Sequence, residues 1–287
     1  MTEALGAHWL ALRESADRAA RDPWLVRRLQ HWRSGRHDTL RVLELGCGIG
    51  AHVRFLALRL GGAQHWWLWE RDPVLLAALP ATMAAWARHA GLGWWERDGA
   101  LLAAGAQLDL VLWPERRDLA ALQAEDLEGI DLLTGSALLH QVSAPWLEQL
   151  ADACQDAGCA VYFTLSVDGR IAWRPPLAGD AQVRILCNRH QRSDKGLGPA
   201  LGPAAAATLE RLLTARGYRV WSATADWRLG AADAELQRAL LRGYGEAVAE
   251  LRPGVWLERW WARHETQLAR GRSGLRVGHR DLLALPG

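Results

Sequence analysis

From residue 3 to residue 33 apolar side chains recur at helical spacing (Trp9, Leu10, Leu12, then Trp24, Leu25 and Leu29), with Pro23 breaking the run. The polar turn Ser34-Gly35-Arg36-His37-Asp38 follows. A six-residue apolar stretch, 40–45, reads as a strand that runs directly into Gly46-Cys47-Gly48-Ile49-Gly50. Helical spacing resumes over 51–60 and stops at Gly61-Gly62; a second strand, 65–69, ends in Glu70, and a helix over 73–88 has Pro73 in its first turn. Stretches 93–96 and 108–113 read as two strands, possible partners in a hairpin. Residues 130–134 form the next strand, 136–156 a polar-to-helical stretch, and 159–165 a buried strand. Short connections between alternating strands and helices imply a parallel sheet covered by helices on both faces.

Beyond residue 165 the pattern is less regular. Residues 170–174 and 182–187 are expected to pair as strands, followed by a polar, glycine-containing loop, 188–199. A helix over 203–216 leads to a strand at 218–223. Helices over 231–251 and 255–270 are separated by Pro253-Gly254, and 275–285 reads as the final strand. The expected architecture is therefore α/β: a Rossmann-like, mostly parallel sheet flanked by helices. An N-terminal helical cap occupies 1–37, the main domain 38–287, and a helical insertion, about 231–270, precedes the last strand. Tryptophans 256, 260 and 261 sit at helical spacing, which points to core packing.

Composition adds limits. The 287 residues are 50% hydrophobic and 23% charged, as in globular proteins, and 34 basic residues against 32 acidic leave a formal charge of +2. That balance argues against a general nucleic-acid or membrane-surface partner. No apolar run reaches the roughly 18 residues of a membrane span. Cys47, Cys154, Cys159 and Cys187 lack metal-site spacing, so no metal is expected and reduced thiols in a cytoplasmic protein are the expectation. Lys195 is the only lysine, and 17 tryptophans stand against two phenylalanines.

A glycine-rich turn between strand and helix lets backbone approach a ligand closely and aims helix N–H groups at it. Twenty residues beyond Gly50, Glu70 stands where a carboxylate can accept both hydroxyls of an adenosine ribose. With Glu44 before the turn and the full G-x-G-x-G pattern of VLELGCGIG, the chain resembles the class I S-adenosylmethionine-dependent methyltransferases, over at least residues 38–167. The resemblance implies S-adenosyl-L-methionine as cofactor. Gly46, Gly48 and Gly50 would flank its methionine part, with Cys47 in the same turn. Glu44 would help hold that end, and Glu70 would bind the ribose with Arg71 beside it. Asp118, followed by Leu119, would contact the adenine amino group, Asp98 being the alternative. Ser136 and His140, after the fourth strand, would lie at the reactive end.

A dinucleotide-binding oxidoreductase is the rival, since GCGIGA also satisfies G-x-G-x-x-G/A. Against it stand Glu44 before the turn, Gly50 in the third glycine place, and the helical segment ahead of the turn. No Asn-Pro-Pro-Tyr-type or Pro-Cys segment follows the fourth strand, where Thr134-Gly135-Ser136-Ala137 stands, which argues against methylation of DNA bases. The expectation is a small-molecule methyl acceptor, with a macromolecular acceptor (RNA or protein) and a non-enzymatic form of the fold as alternatives. Candidate catalytic residues are His140 as base, and His190 and Lys195 in the loop 188–198 as acceptor contacts. Oligomeric state is open.

Overall fold

The computed structural model describes residues 6–36 and 38–287. Residues 3–5 of the expected helical stretch, and position 37 at the end of the expected cap, lie outside the described residues. Helices α1 (Ala7–Ala20) and α2 (Pro23–Ser34) are separated at Pro23, as the sequence predicts. The Asp22 carboxylate accepts from the N–H groups of Trp24 and Leu25, both at 2.9 Å, and so satisfies two orphan donors of the first turn of α2. Strand β1 (Leu40–Leu45) leads through the glycine turn into α3 (Ala51–Leu60), and β2 (Gly62–Glu70) into α4 (Pro73–His89).

The next segment holds three strands where two were expected: β3 (Gly93–Arg97), β4 (Ala100–Gly105) and β5 (Leu108–Arg116). Asp98 (φ 51°) and Gly99 (φ 80°) both take positive φ, which suits an Asp-Gly hairpin turn with a primed-type twist. The alanine- and leucine-rich β4 has no strand signature of its own and is a strand because it pairs on both edges. Then follow β6 (Leu132–Ser136), α5 (Ala144–Ala157) and β7 (Ala160–Arg174), whose second half absorbs the expected separate strand 170–174.

The expected strand 182–187 is instead part of helix α6 (Asp180–His190). Its buried positions, Val183, Cys187 and His190, recur at intervals of four and three, the period of a helix face. The remaining elements are α7 (Ala205–Ala215), β8 (Arg219–Thr224), β9 (Trp227–Leu229), α8 (Ala234–Leu251), α9 (Val255–Ala269) and β10 (Gly274–Leu285).

Among the described residues the ten strands form one sheet in the order β3-β4-β5-β2-β1-β6-β7-β10-β8, with β9 also paired to β10. Strands β5, β2, β1, β6 and β7 are parallel, and β10 runs antiparallel between β7 and β8. This is a mixed α/β, Rossmann-like arrangement. One face of the sheet packs on α2, α3 and α4 through Leu25, Leu29, Leu56, Leu79 and Met83; the other packs on α5 and α7 through Leu147, Leu150 and Leu209. A third apolar cluster joins α6, α8 and α9 to Trp173, Trp227 and Leu275, with Trp9, Leu12 and Ala16 of α1 laid against it. Helix α1 therefore bridges this cluster and the glycine turn. Among the described residues no helix is long and apolar enough to cross a membrane.

Candidate functional site

In open parallel sheets ligands bind beyond the carboxyl ends of the strands, where the connecting loops diverge. Here that edge is formed by Leu45, Glu70, Arg116, Ser136 and the Thr164 region of β7. The turn after β1 is pinned by its own backbone. The N–H groups of Gly46 and Cys47 donate to the Trp69 carbonyl at 2.9 and 3.0 Å, and that of Gly50 to the Cys47 carbonyl at 2.9 Å. Gly46, Gly48 and Gly50 have φ of 68°, 55° and 79°, a region that side-chain-bearing residues enter at a cost. Glu70 completes the turn: one carboxylate oxygen accepts from Gly48 N–H and the other from Asp72 N–H, both at 3.0 Å.

Under this turn lies a set of charges that burial alone would disfavour. Glu44, at the end of β1, is 1% exposed, and both its carboxylate oxygens are buried without any hydrogen-bond partner. Burial pushes its pKa up to about 8; the nearby Arg21 and Arg54 pull the other way, and Glu70 adds a smaller upward push. Arg21, between α1 and α2, is 5% exposed. Its Nη2 donates to Ser136 Oγ at 3.2 Å, its Nε is unpartnered, and it forms no ion pair among the described residues. Asp17 of α1 is 2% exposed and accepts from Trp227 Nε1 at 3.0 Å; burial raises its pKa, opposed by Arg13 and Arg21.

His52 lines the same space. Thr134 Oγ1 spends its proton on the Tyr162 carbonyl at 2.6 Å, so His52 Nε2, 2.8 Å from that hydroxyl, must be the donor. The ring is therefore the Nε2–H tautomer with a bare Nδ1, and burial followed by Arg21's charge holds its pKa well below the usual value.

These residues enclose a cavity lined by Leu10, Arg13, Asp17 and Arg21 on one side and by Glu44, the turn, His52 and Ser136 on the other. Its free volume is about 40 Å³, far below the roughly 300 Å³ at which small-molecule sites begin. The reason is α1. A Cβ on Gly48 would stand 2.8 Å from Leu10 Cδ1, so Leu10 lies directly on the turn. A two-pronged ion pair locks the helix there, with Arg54 Nη2 2.6 Å and Nε 3.1 Å from the two Glu14 carboxylate oxygens. Arg54 also donates to the Ile49 carbonyl within the turn.

The residues singled out from the sequence fall into three groups. Glu44, Gly46, Cys47, Gly48 and Ser136 line the cavity, Gly50 caps α3, and Glu70 braces the turn. Asp118 follows β5 two residues past Arg116, the register partner of Glu70. It is exposed and accepts from Ala120 N–H at 2.9 Å, while Leu119 packs partly into the core and its carbonyl accepts from Trp146 Nε1. Asp98 lies in the outer β3–β4 turn, two strands beyond β2's neighbour, and is exposed.

His140 sits in the short turn after β6 with Nδ1 buried and unpartnered. Burial, then the charges of His279, Arg13 and Lys195, bring its pKa down to about 3. The loop after α6 reaches the same edge, since a Cβ on Gly196 would come 3.8 Å from the Arg71 guanidinium and one on Gly198 3.6 Å from Ser143. Lys195 Nζ donates to Ser193 Oγ at 2.8 Å. His190 is not brought to the cavity: it belongs to α6, is buried, and its Nε2 lies 2.8 Å from Glu250 of α8. Trp260 is buried and donates to Asp180, whereas Trp261 is exposed.

Sequence reasoning missed the contribution of the N-terminal segment, Arg13 and Asp17 of α1 and Arg21 in the linker after it, and also His279 of β10, whose charge acts on His140. His279 is buried with an unpartnered Nδ1, its ring centroid 4.9 Å from that of Trp227, and burial carries its pKa down to about 4. A charge on the otherwise inward face of α1, at Asp17, was the available signal.

No protein-family model and no curated protein sequence matches the chain. Among solved structures it is similar to an S-adenosylmethionine-dependent methyltransferase from Thiobacillus denitrificans in complex with S-adenosyl-L-homocysteine, at 14% identity over 99% of each chain with a TM-score of 0.45. A second, from Geobacter sulfurreducens in the same complex, is 13% identical over 98% of this chain and 99% of the other, with a TM-score of 0.47. A cyclopropane synthase from Mycobacterium tuberculosis is 11% identical over 89% and 81%, with a TM-score of 0.44.

Proposed function

We propose that the protein binds S-adenosyl-L-methionine and transfers its methyl group to a small acceptor. The observation that carries this is Glu44: a fully buried carboxylate with two unpartnered oxygens, set beside a positive-φ glycine turn at the carboxyl edge of the parallel strands. An ammonium group would satisfy both oxygens and relieve the burial penalty. When bound, the cofactor supplies an electrophilic sulfonium methyl. The residues here bind, orient and exclude water, because in-line displacement is accelerated chiefly by alignment and desolvation. Glu44 would hold the ammonium and Gly46, Cys47, Gly48 and Gly50 the adjoining chain. Glu70 would hold the ribose, with Arg71 beside it, and Asp118 with Leu119 the adenine.

The acceptor would lie beyond Ser136, between His140 and the loop carrying Lys195. Burial holds the His140 pKa down to about 3, so the ring is neutral and a weak base at physiological pH, and its role would be to position the acceptor rather than to carry away a proton. The enclosed site beneath α1 and the near-neutral charge favour a small acceptor in a cytoplasmic protein. Because Leu10 now fills the cleft, α1 would move outward to admit the cofactor.

Calorimetric titration with S-adenosylhomocysteine tests the reading. Binding in the micromolar range, of order −7 to −8 kcal/mol, is expected. Response to NADH with none to the adenosyl ligand would establish the oxidoreductase reading instead. A second reading, favoured by the small cavity, is a protein of this fold whose cleft stays sealed; absence of heat with either ligand at two well-separated temperatures would establish that one.

A further inference from the structure

We propose that Arg21, from the linker between the two N-terminal helices, clamps the carboxylate of the cofactor's amino-acid end. The N-terminal segment would then be part of the cofactor site. The inference rests on the reading that the cleft takes S-adenosylmethionine, and adds a residue outside the glycine motif.

The cavity contains two buried carboxylates, Glu44 and Asp17, and one buried guanidinium, Arg21; Asp17 is already engaged by Arg13 at 3.4 Å and by Trp227, whereas Glu44 and Arg21 have no ion-pair partner within 4 Å among the described residues. An acid and a guanidinium retained in an interior for stability alone would be expected to meet, since an unpartnered buried polar group is costly and a pair offsets part of that cost. These two sense each other, yet are held apart across the space between β1, β6 and the α1–α2 linker. A ligand that completes both must carry a cation and an anion on one small centre. The α-amino and α-carboxylate groups of an amino acid meet that requirement, and S-adenosylmethionine ends in them. Glu44 has acceptors for the ammonium; Arg21 has a planar donor array for the carboxylate, with Nε still unspent.

Arg21 is held for this task from three sides. Its guanidinium lies 4.4 Å from the centroid of the Phe55 ring. Ser136 Oγ accepts from Nη2, and Thr164 Oγ1 donates to that same oxygen at 3.0 Å. The backbone is bolted by Asp281 of β10, which is fully buried and accepts from Asp22 N–H at 2.9 Å and Leu165 N–H at 2.8 Å. This bolt ties the linker to β7 and β10 at the residue next to Arg21.

The test compares three ligands on the full chain by calorimetry: S-adenosylhomocysteine, its decarboxylated analogue S-adenosyl-3-thiopropylamine, and 5′-methylthioadenosine, which lacks the amino-acid end. On the unmodified protein the decarboxylated analogue should bind about 10- to 100-fold more weakly than S-adenosylhomocysteine, the range for losing a charge-assisted pair. Arg21→Met should lose a similar factor for S-adenosylhomocysteine, keep its affinity for 5′-methylthioadenosine, and no longer distinguish the decarboxylated analogue. Equal binding of S-adenosylhomocysteine and the decarboxylated analogue by the unmodified protein overturns the role of Arg21 alone, whether or not the variant folds. Failure of the unmodified protein to bind any of the three overturns the cofactor reading, and this inference with it.

Discussion

Glu44 couples cofactor binding to a proton. Its carboxyl is buried and unpartnered, and burial holds its pKa at about 8. At pH 7, one unit below that value, about nine-tenths of the free protein carries the protonated form. An ammonium against the carboxylate favours ionisation and returns the group to the ordinary carboxylate range. Binding at pH 7 should therefore release about 0.9 proton. Between pH 5.5 and 7 the ionised fraction of the free protein rises about thirtyfold, so affinity should rise by the same factor, ~2 kcal/mol at 1.36 kcal/mol per unit.

The assay is calorimetry with S-adenosylhomocysteine in buffers of small and large ionisation enthalpy, kept at or below pH 7 so that the ligand's amine remains mostly protonated. The charges acting on Glu44 are those of Arg21, Arg54 and Glu70; Asp281, with a pKa of about 6, titrates in the same window. Glu44→Gln is the control that separates them, and it should lose both the buffer dependence and the steep pH dependence. The stability sign follows from the same shift. The folded pKa lies above the unfolded value of 4.5, so the contribution is complete below pH 4.5 and is lost as pH rises through 8. The glutamine variant should accordingly gain stability relative to the parent as pH rises. Binding enthalpy independent of buffer, or affinity flat across the range, would refute the assignment of Glu44.

The Glu14–Arg54 pair holds α1 over the cleft, so Glu14→Ala should speed association of S-adenosylhomocysteine and raise amide exchange in α1, read by stopped-flow and hydrogen exchange; unchanged rates would show that α1 is not the gate. Gly48→Ala places a side chain at φ 55° and 2.8 Å from Leu10 Cδ1. It should cost about 1–2 kcal/mol in urea unfolding from backbone strain and weaken cofactor binding besides, whereas undiminished stability and affinity would mean that the turn tolerates a Cβ.

What the sequence determined by itself is what local rules govern. The strand–glycine–helix unit at 40–60 was legible because a six-residue apolar run, positive-φ positions and a resumed helical period are all encoded within about twenty residues. The helix break at Asp22-Pro23 was legible for the same reason, since the cap and the proline act on their own turn. Glu44 and Glu70 could be nominated because each stands at a strand end whose position the pattern sets.

Tertiary structure decided the rest. Strand β4 carries no strand signature and is made by its two neighbours, and α6 reads as a strand until its buried positions reveal a helical face. His190 sits among polar residues in the sequence, yet folds inward onto Glu250, because a helix rather than a loop presents it. Above all, α1 comes to rest on the glycine turn through contacts with residues dozens to hundreds of positions away. Glu14 meets Arg54, Asp17 meets Trp227, and Asp22 meets Asp281. Helical periodicity marks a face as buried, but which surface covers it depends on the order of strands in the sheet. That order is a property of the assembled chain, and it is what puts Arg21 opposite Glu44.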